Sequence, residues 1–522
     1  MCVLKTLFLL VSFILSSPPA WSTIYDWSPL SNEDVQFTED PQVEAEFRTR
    51  AIGEARQTIR LISFDLRTRD KTGIQLLDAL RAAANRGIEV QVIRGGLVSK
   101  FFAEYHPLRD RVQEYLMNPP TLRPIQYQLV GNSTMLRKGW SPLLGTHEKL
   151  LVMDGKTLIM TGRGFADSYQ SWLDTCFIFK GVLVAQGEAT FASIWHTIHQ
   201  EAGTIESRES RRTQSAPMEK TVTPDLGLAT GVAPALSDSS LEVSAVPSRT
   251  PVASTDLNSA QLIQVENFMR WLDEPSSPLP DGSAPPMRAR FLHHNLVEQV
   301  RKRCWGIPYV YSYMPCFRID DPITHAMVQR ISEAEVIQLT TLATIFPPPI
   351  KKALLDRLKE RTQPGGRPFS VQILTNTRQS HRVILSYPMP WHAGLSDLQT
   401  LLQAGAEVYG LSPAASHPYQ YLHRKLFLAS LPGGQKVAII GSHNATRASL
   451  DTNDEASAEI EGLLTSPFLE SLSRIFEESI ARTGVCFQCD QVQRENRWST
   501  FPGWGWRGFG WSWATRLAEG LI

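Results

Sequence analysis

The sequence predicts an α/β fold made of two similar halves. Three observations predict it. The triplets His147-Glu148-Lys149 and His423-Arg424-Lys425 share a His-x-Lys pattern, and each runs into a pair of short apolar strands. Ahead of each triplet, helical and strand segments alternate in the same order. Alternating strands and helices favour mostly parallel pairing. A duplication of this size implies pseudo-symmetric packing, with a pocket where the halves meet.

The elements follow in order. Residues 52–64 read as a helix end and an apolar strand, 73–86 as an amphipathic helix and 88–93 as a second strand. Residues 150–153 and 157–160 form a tight hairpin around Asp154-Gly155. The second half repeats the plan with a helix at 323–334, a strand at 336–339, a helix at 350–360 and a strand at 369–374. Strands at 426–429 and 437–440 then flank the turn Leu431-Pro432-Gly433-Gly434, and the last strand ends in Gly441-Ser442-His443-Asn444. On a strand, residues two apart share a face, so His and Lys of each triplet are expected to point together into one pocket. One triplet alone is weak, because 12 histidines give about one by chance at ordinary lysine usage. Two in matched contexts point to catalysis.

These residues resemble the phospholipase D superfamily, whose signature is His-x-Lys-x4-Asp followed by Gly-Ser-x-Asn, Ser and Asn-x-Glu. In the second half Gly441, Ser442, Asn444, Ser449, Asn453 and Glu455 stand at the family's spacing. The first half keeps His147, Lys149 and Asp154, then Asp167, Tyr169 and a Trp172-Leu173-Asp174 segment similar to that of bacterial cardiolipin synthases and related phosphatidyltransferases such as phosphatidylserine synthases. It departs at Thr161-Gly162-Arg163-Gly164, where Gly164 lacks the amide side chain of one phosphate contact. The second half departs at Ser430, the counterpart of Asp154. Because Asp154 sits in a turn at the far end of the hairpin, that loss reads as structural rather than chemical.

The resemblance implies two phospholipase D-like α/β repeats, at residues 23–202 and 287–485, with the active site at their interface. It implies phosphodiester chemistry on phospholipid headgroups through a phosphohistidine, ending in hydrolysis or in transfer to an alcohol. The implied catalytic residues are His147, Lys149, His423, Lys425, Asn444, Glu455 and Asp174, with Ser442 and Asp154 binding substrate. His147 would be the nucleophile and His423 the acid, or the reverse. Glu455 and Asp174 would each accept from an imidazole Nδ1–H. Lysines fill the electrophilic role, so neither metal nor other cofactor is expected. A nuclease-type phosphodiesterase shares this apparatus, and a non-catalytic binding module is the remaining alternative.

The rest of the 522 residues bounds these expectations. A hydrophobic content of 42% suits large cores, and a formal net charge of zero gives no global field for nucleic acid, so a phospholipid partner is favoured over nucleic acid. Residues 1–22 have the three-part pattern of a secretory signal peptide, with cleavage between Ala20 and Ile24. The mature chain is then exported to a bacterial periplasm, cell envelope or medium as a monomer that touches membranes peripherally. The acceptor pattern Asn444-Ala445-Thr446 argues the same way, since a glycan there would block the pocket. Export permits disulfides among Cys176, Cys304, Cys316, Cys486 and Cys489, and Cys486-x-x-Cys489 reads as a local disulfide or reduced thiols rather than a metal site. Residues 203–286 are rich in Ser, Thr and Pro and read as a flexible insert containing one helix at 259–271. Residues 486–522 form a tail with Trp498, Trp504, Trp506, Trp511 and Trp513, suited equally to a bilayer interface or to the protein's own surface. A helix at 188–200 carries His196 and His199, and like His293-His294 these read as structural.

Overall fold

A computed structural model describes residues 22–95, 105–106, 109–130, 145–214, 257–276, 287–294, 321–380, 389–411, 419–446, 453–488 and 492. The expected leader before Ser22 and the tail tryptophans lie outside these residues. Ser22 itself pairs with His294 in the strand Ser22–Ile24.

Each repeat is organised around one mixed sheet. In the first, Thr58–Ser63, Glu89–Gly95 and Gln126–Val130 run parallel. On the other side of Thr58–Ser63 the strands Leu150–Met153, Thr157–Thr161, Cys176–Phe179 and Val35–Thr38 follow in antiparallel order. The second sheet repeats this plan. Val336–Thr340, Ser370–Asn376 and Glu407–Leu411 are parallel, and Leu426–Leu431, Gln435–Gly441, Asn453–Leu463 and Met287–His294 are antiparallel to their neighbours. The pairing is therefore mixed with antiparallel neighbours in the majority, rather than mostly parallel, because the motif-bearing segments return as hairpins.

Local sequence explains the repeated helix starts. Asp40 and Asp321 each precede a proline, and each carboxylate caps two backbone amides of the helix that follows, Pro41–Glu54 or Pro322–Glu333. Proline at the first helical position loses only an N–H that has no partner within the helix. Three cores result. One lies on the outer face of each sheet. The central one joins Ile62, Leu150, Met160 and Phe177 of the first repeat to Leu374, Leu426, Ile440 and Ile460 of the second. Strands covered on both faces are apolar throughout, as Leu150–Met153 is.

The insert is in part ordered. The helix expected at 188–200 spans Val182–Gln214, running past the insert's expected start. The helix expected at 259–271 spans Ser259–Asp273, begins with a capping box between Asn258 and Gln261, and buries Val265, Phe268 and Met269. Phe268 meets Phe47 at 5.4 Å, and the Trp271 indole donates to the Glu33 carbonyl at 2.7 Å. This helix docks on the first repeat's outer face. His199 approaches the Trp195 carbonyl four residues back at 3.3 Å, and its ring lies 4.7 Å from that of Trp195.

Asp154, expected to bind substrate, has its carboxylate engaged by the backbone. Its carboxylate accepts from the amides of Arg56, Gln57 and Thr58 at 2.8, 2.8 and 2.9 Å, closing the loop that feeds the strand Thr58–Ser63. It sits in the hairpin turn at φ 55°, away from the triplet. In the second repeat the Ser430 carbonyl meets the corresponding need by accepting from Glu335 N at 2.8 Å, so an aspartate is dispensable there. Asp154→Ala is expected to lower stability by roughly 2 kcal/mol, seen as a lower thermal midpoint. An unchanged midpoint would return Asp154 to the site.

Candidate active site

Two short parallel bridges between the repeats build the site. Gly145 and Thr146 pair with Asn453 and Asp454. One residue further along that register, His147 Nδ1 lies 2.9 Å from Glu455 Oε1. Trp172 and Leu173 pair with Tyr421 and Leu422, and one residue on, His423 Nδ1 lies 2.8 Å from Asp174 Oδ2. Each histidine thus takes its carboxylate from the other repeat. The two imidazole centroids are 6.3 Å apart. Phe64 stands edge-on to His147 at 4.7 Å, and Trp172 leans on His423 at 4.6 Å.

The triplets do not lie within strands. They occupy irregular segments just ahead of Leu150–Met153 and Leu426–Leu431, because the chain there leaves its own sheet to bridge to the other repeat. His and Lys still share a pocket. Lys149 Nζ donates to the carbonyl of His147 at 2.7 Å, and Lys425 Nζ donates to that of His423. Lys149 also sits 4.9 Å over the Phe64 ring.

Burial and mutual charge tune these groups. Burial, then Lys149, lowers His147 to about 4. Burial, then Lys425 and Lys149, holds His423 well below the usual histidine range. Burial lowers Lys149 to about 8 and Lys425 to about 7. Burial alone would raise Glu455, but its contacts with His147, Lys149 and Ser442 outweigh that and hold it down to about 2. Asp174 is raised by burial, which Lys425 and Arg163 offset only in part. Glu455 is therefore a fixed anion. His147 accordingly keeps its proton on Nδ1 and presents a bare Nε2.

The two histidines are not equivalent. His423 Nδ1 is approached by Asp174 at 2.8 Å and also by Lys425 Nζ at 2.6 Å. The carboxylate calls for a proton on Nδ1 and the ammonium for a bare Nδ1, so the two contacts compete for the tautomer of His423.

Ser442, expected to bind substrate, supports Glu455. Its hydroxyl donates to Glu455 Oε2 and accepts from Ala456 N at 3.1 Å, so it orients the carboxylate. Asn444 is buried on the same segment, just after the strand Gln435–Gly441. Ser449 lies outside the described residues. In the first repeat the missing side chains have physical causes. A Cβ at Gly162 would lie 2.2 Å from Asp174 Oδ2, and one at Gly164 would lie 2.5 Å from the Tyr169 ring. Tyr169 fills that space, donating to Asp65 at 3.0 Å and packing on Trp172 at 4.3 Å.

The middle residues of both triplets went unnoticed in the sequence, and His293 was read only as structural. Glu148 is fully buried and paired with His293 Nε2 at 3.0 Å, on the second repeat's sheet. Arg424 donates to Thr175 at 3.1 Å and to Ser479 at 2.7 Å, and is ion-paired with Glu39. Both side chains tie a triplet to the opposite repeat. A charged residue between two catalytic ones, followed at once by an apolar strand, was the available signal.

Comparison with known proteins fits this geometry. The profile described as "Cardiolipin synthase, PLD-like domain" matches residues 49–195 and 327–480, one match in each repeat. The chain belongs to that phospholipase D-like family. No curated protein matches it in sequence. Among solved structures, the phosphatidylserine synthase of Haemophilus influenzae Rd KW20 is similar over 96% of this chain and 98% of its own, at 10% identity and a TM-score of 0.55, which shows a common fold. Weaker likenesses are to Porphyromonas gingivalis polyphosphate kinase, with 12% identity, 87% and 48% coverage and a TM-score of 0.40. Nuc of Salmonella typhimurium, a phospholipase D family member, has 18% identity, 31% and 90% coverage and a TM-score of 0.24.

His147 is expected to stay neutral, with its proton on Nδ1, until the pH falls to about 4. Imidazole nitrogen resonances followed against pH will show this, and titration near the ordinary histidine value would contradict the buried geometry.

Proposed function

We propose that this protein is a phosphodiesterase or phosphatidyltransferase of the phospholipase D type, acting on phospholipid headgroups through a phosphohistidine. The observation that carries the reading is the pair of buried imidazoles 6.3 Å apart, each oriented by a carboxylate of the opposite repeat and each with its own lysine. The contact of His147 Nδ1 with Glu455 favours His147 as the nucleophile, with Nε2 unprotonated, and leaves His423 as the acid, protonated on both nitrogens once substrate is bound, with Nδ1–H donating to Asp174.

In the first step His147 Nε2 forms a bond to phosphorus while the bond to the departing alcohol breaks. The electron pair goes to that oxygen, which takes the proton of His423. In the second step water or an acceptor alcohol gives its proton to His423, attacks phosphorus and releases His147. Lys149 and Lys425 neutralise the phosphoryl oxygens, where charge spreads during transfer, and Asn444 donates beside them. Burial, then the uncompensated lysine charges, hold both imidazoles neutral. A bound phosphodiester anion offsets those charges and raises the acid's pKa. Export and peripheral contact with a membrane belong to the same reading. They are supported by the leader pattern and the Trp-rich tail, and among the described residues no helix is long and apolar enough to cross a membrane.

Product analysis tests it. The purified protein, with and without EDTA, is given phosphatidylglycerol, phosphatidylcholine or single-stranded DNA beside a His147→Ala/His423→Ala control. Phosphatidic acid or cardiolipin made only by the intact protein, unaffected by EDTA, is expected. DNA cleavage without lipid turnover would assign a nuclease, and silence on every substrate would favour a binding module.

The pH dependence of kcat/KM should be bell-shaped. Activity falls as His147 gains a proton near pH 4, and falls again as Lys425 and then Lys149 lose theirs near 7 and 8. A flat profile from pH 4 to 9 would contradict these assignments. Gly162→Ser, which copies the second repeat's motif into the first, should lower turnover about tenfold or more by displacing Asp174. A gain in turnover would show that the position simply lacks its family residue.

A further inference from the structure

Arg163 stands in the divergent Thr161-Gly162-Arg163-Gly164 segment, at the place that His443 holds in the second repeat. It is 2% exposed. One terminal nitrogen is ion-paired with Glu44, a fully buried carboxylate that also holds Arg48 at 2.9 Å and Thr161 Oγ1 at 2.7 Å. The other donates to the carbonyls of Glu39, Trp172 and Asp174 at 2.6, 3.2 and 2.9 Å. The last two carbonyls flank Leu173, whose own carbonyl accepts from the amides of His423 and Arg424 at 2.9 Å each. The backbone that presents Asp174 is thus gripped by Arg163 through residues 172 and 174, and by the second triplet through residue 173.

We propose that Arg163 is the positioning residue of the acid half of the site, setting Asp174 against His423 through the main chain as Ser442 sets Glu455 through its hydroxyl. This inference rests on the phosphodiesterase reading above. Gly162 leaves no room for a serine beside Asp174, so orientation has to come from the peptide backbone. A planar guanidinium suits that task, because its fork serves a carboxylate and several carbonyls at once, which an ammonium cannot. Its charge also lies near Asp174 and offsets part of the rise that burial imposes on that carboxyl.

The test uses two substrates in the full-length protein. A phosphodiester that loses p-nitrophenol departs without a proton, whereas an alkyl phosphodiester, such as a phospholipid headgroup, needs the acid. In both cases kcat/KM reports formation of the phosphohistidine. Arg163→Gln should lower kcat/KM for the alkyl ester about a hundredfold and for the p-nitrophenyl ester much less. Arg163→Lys keeps a cation for Glu44 and should recover part of the alkyl activity, with KM nearly unchanged. If Arg163→Gln does not fold, Arg163→Lys decides, with an expected alkyl-selective loss of about tenfold. Equal losses on both substrates, or none on either, would overturn the proposal and leave Arg163 an ordinary core ion pair. A wild-type protein inert toward both substrates would instead sink the phosphodiesterase reading itself.

Discussion

The site depends on a register. Two parallel bridges, Gly145-Thr146 beside Asn453-Asp454 and Trp172-Leu173 beside Tyr421-Leu422, hold the repeats side by side. A parallel ladder fixes which residue stands opposite which. It therefore brings the next residue on each strand together, histidine from one repeat and carboxylate from the other. A slip by one residue would turn the imidazoles away from their acceptors and reverse the side-chain faces. Neither repeat can build either dyad alone.

The surrounding structure protects that register. The central core joins strands of both sheets, so separating the repeats would expose a continuous apolar surface. Glu148 and Arg424, each between a catalytic histidine and lysine, reach into the opposite repeat and find buried partners there. Leaving any of these charges buried without its partner would cost several kcal/mol. The polar clasp therefore specifies the geometry while the apolar core supplies the association.

Duplication has not made the halves identical, and their differences are chemical. In the second repeat Ser442 holds Glu455, which His147, Lys149 and Ser442 keep a firm anion against the opposing effect of burial. In the first, glycine at 162 lets Asp174 occupy the space of a serine, and Asp174 stays raised by burial. Lys425 reaches His423 Nδ1, whereas Lys149 bonds to the backbone of its own triplet and faces Phe64. Two histidines that look alike in sequence thus have different surroundings and are suited to different roles.

Much of this was legible in the sequence. Apolar period, motif spacing and turn residues are local signals. They fixed the α/β class, the duplication, the hairpins after both triplets and the identity of the histidines, lysines and carboxylates. The position of Asp154 at the far end of a hairpin was legible too, although the resemblance implied that it binds substrate. The tertiary structure decided what depends on residues far apart in the chain: that the sheets are mixed, that the triplets leave their strands, and that the dyads cross between repeats. It also turned Ser442 from a phosphate ligand into a support for Glu455, and gave Arg163, Glu148 and Arg424 their partners. The physical reason is one of range. Local pattern sets which face of a segment is apolar, whereas the partner of a buried polar group depends on which distant strand is packed beside it.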